Sequence, residues 1–313
     1  MRLLLTRPLP APVMQAARAR FEVTARDSTL PLTRPELEAA LADYDLVLPT
    51  LGDLFSADLF TAKPRARLLA NFGVGFNHID VSAARAAGVM VSNTPGAVTE
   101  ATADIALTLI LMTARRAGEG ERLLRAGAWQ GWHPTQLLGQ HVSGKTVAII
   151  GMGRIGQAIA RRCHFGFGMK VIFHARRPLA LDFPAEQVPF ETAMQADFVV
   201  LAVPGGAETR HLIDARALGL MRPHAILVNI ARGDVVDETA LIAALQQGQI
   251  AGAGLDVYEQ EPTVPDALKA LETVTLLPHL GTAALEVRTA MGLMAVDNLI
   301  AFAEGRPPPN ALP

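Results

Sequence analysis

Two kinds of segment alternate along the chain. Short apolar runs at 2–5 (RLLL), 21–25 (FEVTA), 45–50 (DLVLPT), 67–72 (RLLANF) and 88–93 (GVMVSN) read as strands. Between the earlier runs, residues 11–20 and 34–42 read as helices. Strands alternating with helices predict βαβ units and a parallel sheet. A long apolar helix is predicted over 99–125, followed by AGAWQGWHPTQLLGQHVSG, which has no period and marks a boundary. A second series then begins: TVAII, a helix, KVIFHA, FVVLAV, AILVNI, AGAGLDV and VTLLPHL. These runs are almost wholly apolar, as strands covered on both faces must be. A last helix is predicted over 283–304, before the Pro-rich tail RPPPNALP. The fold class is therefore α/β, with two doubly wound parallel sheets.

Composition narrows the function classes. The chain has 313 residues, 50% of them apolar and 19% charged, enough for two domains with ordinary cores. A formal net charge of −2 argues against nucleic acid as the main partner. The single cysteine, Cys163, excludes an internal disulfide framework or a Cys-rich metal centre and points to a reducing, cytoplasmic compartment. The most apolar stretch, 105–114, lies between Asp104 and Arg115 and is half the length a bilayer span requires, so no membrane partner is expected. The histidines have no metal-ligand spacing, and no Gly-x-Ser-x-Gly elbow marks a hydrolase.

The strongest motif is Gly151-Met-Gly153-Arg-Ile-Gly156, directly after TVAII and opening a helix. In that context the first glycine permits a tight turn, the second a close approach of pyrophosphate and the third helix–strand packing. The helix N-terminus offers free N–H groups to phosphate. At the end of the next strand an NAD site usually places an acid for the ribose hydroxyls. Here Ala175 stands there, followed by Arg176 and Arg177, which favours NADP(H) while leaving NAD(H) possible. Later strand ends carry Arg232, then Asp256, Glu259 and Glu261, then His279. Open α/β sheets bind ligands at strand C-termini. Hydride transfer to a carbonyl needs a proton donor, usually His, oriented by a carboxylate on its other ring nitrogen. An arginine can clamp a substrate carboxylate. Taken singly, these residues also fit structural roles: a packed histidine, a solvated glutamate, a surface ion pair. The early turn Asn71-Phe-Gly73-Val-Gly75-Phe-Asn77 follows a strand too and either binds a small carboxylate through its N–H groups or is a plain βα turn.

In this order, NFGVGFNHID, GVMVSNTPG, VTEATADIALTLIL, GMGRIGQAIA, NIARGDVVDETAL, GLDVYEQEP and PHLGTA resemble the D-isomer-specific 2-hydroxyacid dehydrogenases, from about residue 49 to the end of the last helix. The resemblance implies a discontinuous substrate domain, 1–97 with 285–313, and an inserted dinucleotide-binding domain, 98–284, with a dimerisation arm at about 99–143. It makes His279 the acid/base, Glu261 its partner and Arg232 the group that binds the substrate carboxylate and carbonyl. Backbone N–H groups at Val74 and Gly75 would hold the carboxylate. Thr102, Arg154 and Ile155 would contact the pyrophosphate and Asp256 the nicotinamide amide. Pro204 and Thr209 would lie near the adenosine, with Val203, Ile230, Ala231, His279 and Gly281 as further cofactor contacts. The Ala175–Arg177 stretch and RAGAWQGWHP are most similar to glyoxylate/hydroxypyruvate reductases. That implies NADPH-dependent reduction of small 2-ketoacids by a homodimer, in which Trp132 either reaches the neighbouring site or packs the interface. Two other outcomes stay open: an NAD-dependent dehydrogenase for a bulkier 2-ketoacid, and a dinucleotide-sensing interaction protein like the family's corepressors.

Overall fold

The computed structural model describes residues 1–61 and 63–313. They form two compact units, Met1–Val98 with Ala283–Pro313, and Thr99–Thr282.

The first unit holds a parallel sheet of β1 (Arg2–Leu5), β2 (Glu22–Ala25), β3 (Leu46–Leu48), β4 (Leu68–Ala70) and β5 (Met90–Ser92), in the order β2-β1-β3-β4-β5. The two-residue period of a strand sends alternate side chains to opposite faces. Leu3, Leu5, Leu46, Leu48 and Leu68 pack with Val13, Ala17, Ala295 and Leu299. Leu4, Val47, Leu69 and Val91 pack on the other face with Leu37, Leu41, Phe55 and Ala84. Both faces are covered at the centre of the sheet, which is why Leu3–Leu5, β3 and β4 are apolar throughout, whereas the edge strand β2 exposes Glu22 and Thr24. The helix Leu285–Ala303 returns to this unit, and its Gly292 admits Val13 so closely that a Cβ there would lie 2.5 Å from a Val13 methyl. The tail then runs antiparallel beside β5: Ala311 bridges Ser92, and the Leu312 N–H donates to the Val91 carbonyl at 2.8 Å.

The second unit holds β6 (Thr146–Ile150), β7 (Lys170–His174), β8 (Glu186–Gln187), β9 (Phe198–Leu201), β10 (Ile226–Asn229), β11 (Gly252–Leu255) and β12 (Val274–Leu276). Their order, β12-β11-β10-β9-β6-β7-β8, is all parallel and reverses direction beside β6. A doubly wound sheet opens its ligand crevice at such a reversal.

The sequence differs from the structure in three places. The helix predicted over 99–125 is two helices, Thr99–Ala114 and Ala117–Arg125, broken where Arg116 takes a left-handed φ of 52°. Past Ala114 the apolar positions give way to arginines and glycines, and the second helix buries no residue. The apolar stretch 105–114, which by its composition reads as a surface for a second copy of the chain to cover, is largely covered inside its own unit. It lies on β10 and β11, where Gly254 makes room for Leu109 and Gly252 for Thr113; a Cβ would come within 2.9 and 3.1 Å of those side chains. The exposed two-residue strand β8 has no apolar pattern to announce it. Among the described residues, no helix is long and apolar enough to cross a membrane, and no group of His, Cys, Asp and Glu could hold a metal ion.

Candidate active site

The three glycines after β6 have three different surroundings. Gly151 takes φ 99°, and a Cβ there would lie 2.7 Å from the Ala202 carbonyl oxygen. At Gly156 a Cβ would overlap the Gly151 carbonyl oxygen. At Gly153 it would meet nothing within 4 Å. So Gly151 and Gly156 close the turn, and Gly153 leaves its outer side open. Gly153 caps the helix Arg154–Arg161 without a side-chain hydrogen bond. The first-turn N–H groups, including Arg154 and Ile155, therefore have no partner within the helix. An open glycine backbone above a helix N-terminus fits a pyrophosphate.

Half-buried Ala175 directly follows β7, and its neighbours in the chain, His174 and Arg176, include no acid. Arg176, expected from the sequence to favour NADP(H), is engaged within the chain: its guanidinium pairs with Glu208 at 2.5 Å, both side chains strongly exposed (80% and 81%). Exposed Arg177 makes no ion pair among the described residues. The loop is held from below by Gln187 of β8, whose amide donates to the Ala175 and Arg177 carbonyls at 3.0 and 3.1 Å. The Thr209 hydroxyl donates to the Pro204 carbonyl at 2.7 Å and so closes its own loop; Val203 is half-buried there and Pro204 exposed.

At the ends of β11 and β12 the chain brings a histidine and a carboxylate together. His279 Nδ1 lies 2.8 Å from Glu261 Oε2. A carboxylate only accepts, so Nδ1 carries the proton. Nε2 has no partner among the described residues. The Tyr258 N–H donates to the other Glu261 oxygen at 3.1 Å, which fixes the carboxylate at both ends. Burial alone would raise the Glu261 carboxyl, but the His279 hydrogen bond and charge, the Tyr258 N–H and the Arg232 charge hold it below the usual range.

His279 takes φ 55°, a left-handed conformation uncommon outside glycine. Buried Asp256 holds this turn. Its oxygens accept from the Leu280 N–H at 2.6 Å and the Gly281 N–H at 2.8 Å, and its carbonyl accepts from the His279 N–H at 2.9 Å. Both oxygens implied for the nicotinamide amide are thus already engaged by backbone. Burial still raises the Asp256 carboxyl. Thr102 closes the turn from the long buried helix, donating its hydroxyl to the Gly281 carbonyl at 3.2 Å.

Arg232 follows β10 in extended backbone. Asn229 sets it there: its Oδ1 accepts from the Ala231 N–H at 3.0 Å and its Nδ2 donates to the Arg232 carbonyl at 2.9 Å. Ile230 and Ala231 between them are buried. A Cβ on Gly233 would overlap the Tyr258 peptide, so only glycine lets the two strand-end loops meet this closely. Burial holds the Arg232 guanidinium below its usual value, against the opposing pull of the nearby Glu261 and Asp234 charges. Asn229, Tyr258, Gln187 and Glu208 escaped the sequence reading. Only Asn229, a polar residue ending an apolar strand, carried a signal.

Glu259, two residues before Glu261, makes a separate pair with His211 Nε2 at 2.8 Å. In the first unit, Val74 and Gly75 are half-buried in the turn after β4. Trp132 stands 79% exposed and Trp129 49% exposed in the irregular segment after the second helix. Cys163 is fully buried, its thiol pushed up to about 12, as suits a packing residue.

The profile of the D-isomer specific 2-hydroxyacid dehydrogenase NAD-binding domain matches residues 107–281. A glyoxylate reductase of Thermococcus onnurineus is 43% identical, over 99% of this chain and 95% of that protein. One of Thermococcus gammatolerans is 45% identical, over 98% and 94%. A crystal structure of an NADPH-dependent glyoxylate/hydroxypyruvate reductase of Sinorhizobium meliloti, in complex with NADP and malonate, superposes with TM-score 0.86 at 36% identity, covering 99% of this chain and 96% of that one. With this match across the glycine turn, the Arg232 loop and the His279 turn, the chain belongs to the D-isomer specific 2-hydroxyacid dehydrogenases.

Proposed function

We propose that this protein reduces small 2-ketoacids, glyoxylate and hydroxypyruvate, to 2-hydroxyacids with NADPH. The observation that carries this reading is the His279–Glu261 pair, with the Arg232 charge beside it, in the same unit as a glycine turn that fits a dinucleotide. Bound nicotinamide supplies the hydride. His279 donates the proton from Nε2 to the carbonyl oxygen, while Glu261 holds Nδ1–H and fixes the tautomer. Arg232 binds the ketoacid carboxylate and carbonyl, and the Val74 and Gly75 N–H groups serve the carboxylate. Gly151, Gly153, Arg154, Ile155 and Gly156 take the pyrophosphate, assisted by Thr102. Asp256 and Gly281 shape the nicotinamide end, with Ile230 and Ala231 lining it. Val203, Pro204 and Thr209 take the adenosine side. The names of the Thermococcus relatives support glyoxylate as substrate. The Sinorhizobium complex supports NADP and a carboxylate ligand.

Ala175 leaves room for a 2′-phosphate, and Arg176 with Arg177 supplies charge for it. Against strict NADPH use stands the Arg176–Glu208 pair, which must open to admit a phosphate; NADH is therefore a second, weaker cofactor. A steady-state matrix of NADPH and NADH against glyoxylate, hydroxypyruvate, pyruvate and 2-ketoisocaproate tests the reading. The highest kcat/KM is expected for NADPH with the two small acids. A preference for 2-ketoisocaproate with NADH would replace it with the bulky-substrate reading, and no turnover of any acid would reject it. The exposure of Trp129, Trp132 and Leu138 supports a homodimer in which a second copy of the chain covers this arm. Sedimentation of a stable, active monomer near 33.3 kDa would refute the dimer.

A further inference from the structure

We propose that buried Asn71, oriented by His78, is the positioning residue that turns the 71–77 loop into an anion-binding array, with the Phe76 N–H as a third donor beside Val74 and Gly75. The inference rests on the reading of this turn as the carboxylate site. Asn71 is fully buried and His78 nearly so. The Asn71 amide donates to the Gly73 carbonyl at 3.1 Å and the Gly75 carbonyl at 2.9 Å. The Asn93 amide donates to the Val74 carbonyl at 2.9 Å, and the Thr94 N–H donates to Gly73 at 3.1 Å. Three successive carbonyls are thereby drawn inward.

A trans peptide is planar, with its C=O and N–H pointing opposite ways. Drawing in the carbonyls of 73, 74 and 75 therefore turns out the N–H groups of Val74, Gly75 and Phe76. None of the three finds an acceptor among the described residues. Successive outward N–H groups form a concavity for an anion. The orientation of the Asn71 amide is settled by chemistry. Its Nδ2 must face the two carbonyls, so Oδ1 faces His78 Nε2 at 2.9 Å and His78 is the donor. Asn71 therefore acts on a ligand only through the backbone it holds.

The test uses the full-length protein with NADPH bound and oxamate, an unreactive ketoacid analogue, as probe. Asn71→Asp keeps the size but sets an acceptor oxygen against two carbonyls. It is expected to raise the oxamate Kd and the glyoxylate KM about tenfold or more, with NADPH affinity and saturated kcat within about threefold. His78→Gln, which retains a donor, should stay near wild type, and His78→Leu should fall between. In the wild type, oxamate should shift the 15N–1H resonances of Val74, Gly75 and Phe76. Should Asn71→Asp fail to fold, the His78 pair and the amide shifts decide. A folded Asn71→Asp with unchanged oxamate affinity, or with NADPH affinity lost in equal measure, overturns the proposal, as do amides unmoved by saturating oxamate. If the amides shift but no ketoacid is turned over, the proposed function falls and this inference stands.

Discussion

Two histidine–glutamate pairs hang from one three-residue stretch of chain, Glu259–Glu261. Glu259 meets His211, and Glu261 meets His279, both at 2.8 Å. Both histidines adopt left-handed backbone, at φ 49° and 55°. Distance and conformation therefore do not separate them. Their neighbours do. Glu261 is gripped by the Tyr258 N–H and feels the Arg232 charge, while buried Asp256 ties down the His279 turn. Glu259 instead shares its oxygen with exposed Arg210 and donates its N–H to Glu238, on the far side of the same stretch. The His279 pair is thus set among groups able to bind and protonate a ketoacid. The His211 pair joins two loops, the one after β9 and the one after β11.

The largest expected effect tests that contrast directly. His279→Ala should lower kcat by roughly 10²–10⁴ with NADPH affinity intact. His211→Ala should leave kcat within about threefold, because its partner Glu259 is shared with exposed Arg210 and not with Arg232 or Asp256. Equal losses in the two variants would erase the distinction, and single-turnover rates measured at saturating cofactor would reveal them.

Arg232→Lys should follow, with kcat/KM for glyoxylate down roughly 10–100-fold, since an ammonium cannot make the paired contact to a carboxylate. A loss confined to NADPH affinity would move Arg232 out of the substrate site.

Glu261→Gln should lower kcat by about tenfold and also change the acid stability. The Glu261 carboxyl is held below its unfolded value, so its ionised form stabilises the fold above the unfolded pKa of about 4.3. That contribution disappears as pH falls through the lower folded value. The Tm difference between wild type and Glu261→Gln should therefore shrink on acidification below about pH 4.3. Glu259→Gln serves as the matched control for kcat. A Tm gap that widens in acid would contradict the assignment.

The smallest effect belongs to the loop that carries His211, because it also carries Glu208. Glu208→Gln should free Arg176 and raise the NADPH-over-NADH preference about two- to fivefold, the worth of an exposed ion pair. Paired KM measurements on the two cofactors would read this shift, and an unchanged ratio would leave the Arg176–Glu208 contact without a role in cofactor choice.

The amino-acid sequence by itself determined the two parallel sheets and the cofactor turn, for local reasons. A strand covered on both faces must be apolar at every position, so runs such as TVAII and FVVLAV declare themselves. A turn that admits no Cβ at Gly151 or Gly156 must be written in glycine. The tertiary structure alone decided which groups meet. Spacing left Glu259 and Glu261 equivalent, only the family resemblance favoured Glu261, and 48 and 18 residues of chain separate them from the histidines they contact. The Arg176–Glu208 pair, the cover over 105–114 supplied by Gly252 and Gly254, and Asn71 beneath the carbonyls of its own loop were equally out of reach. Each depends on how segments distant in sequence, or a side chain and its own folded backbone, come together in space. Hydrophobic periodicity records which face of an element is buried. It does not record which polar atoms lie opposite one another once the strand ends are brought side by side.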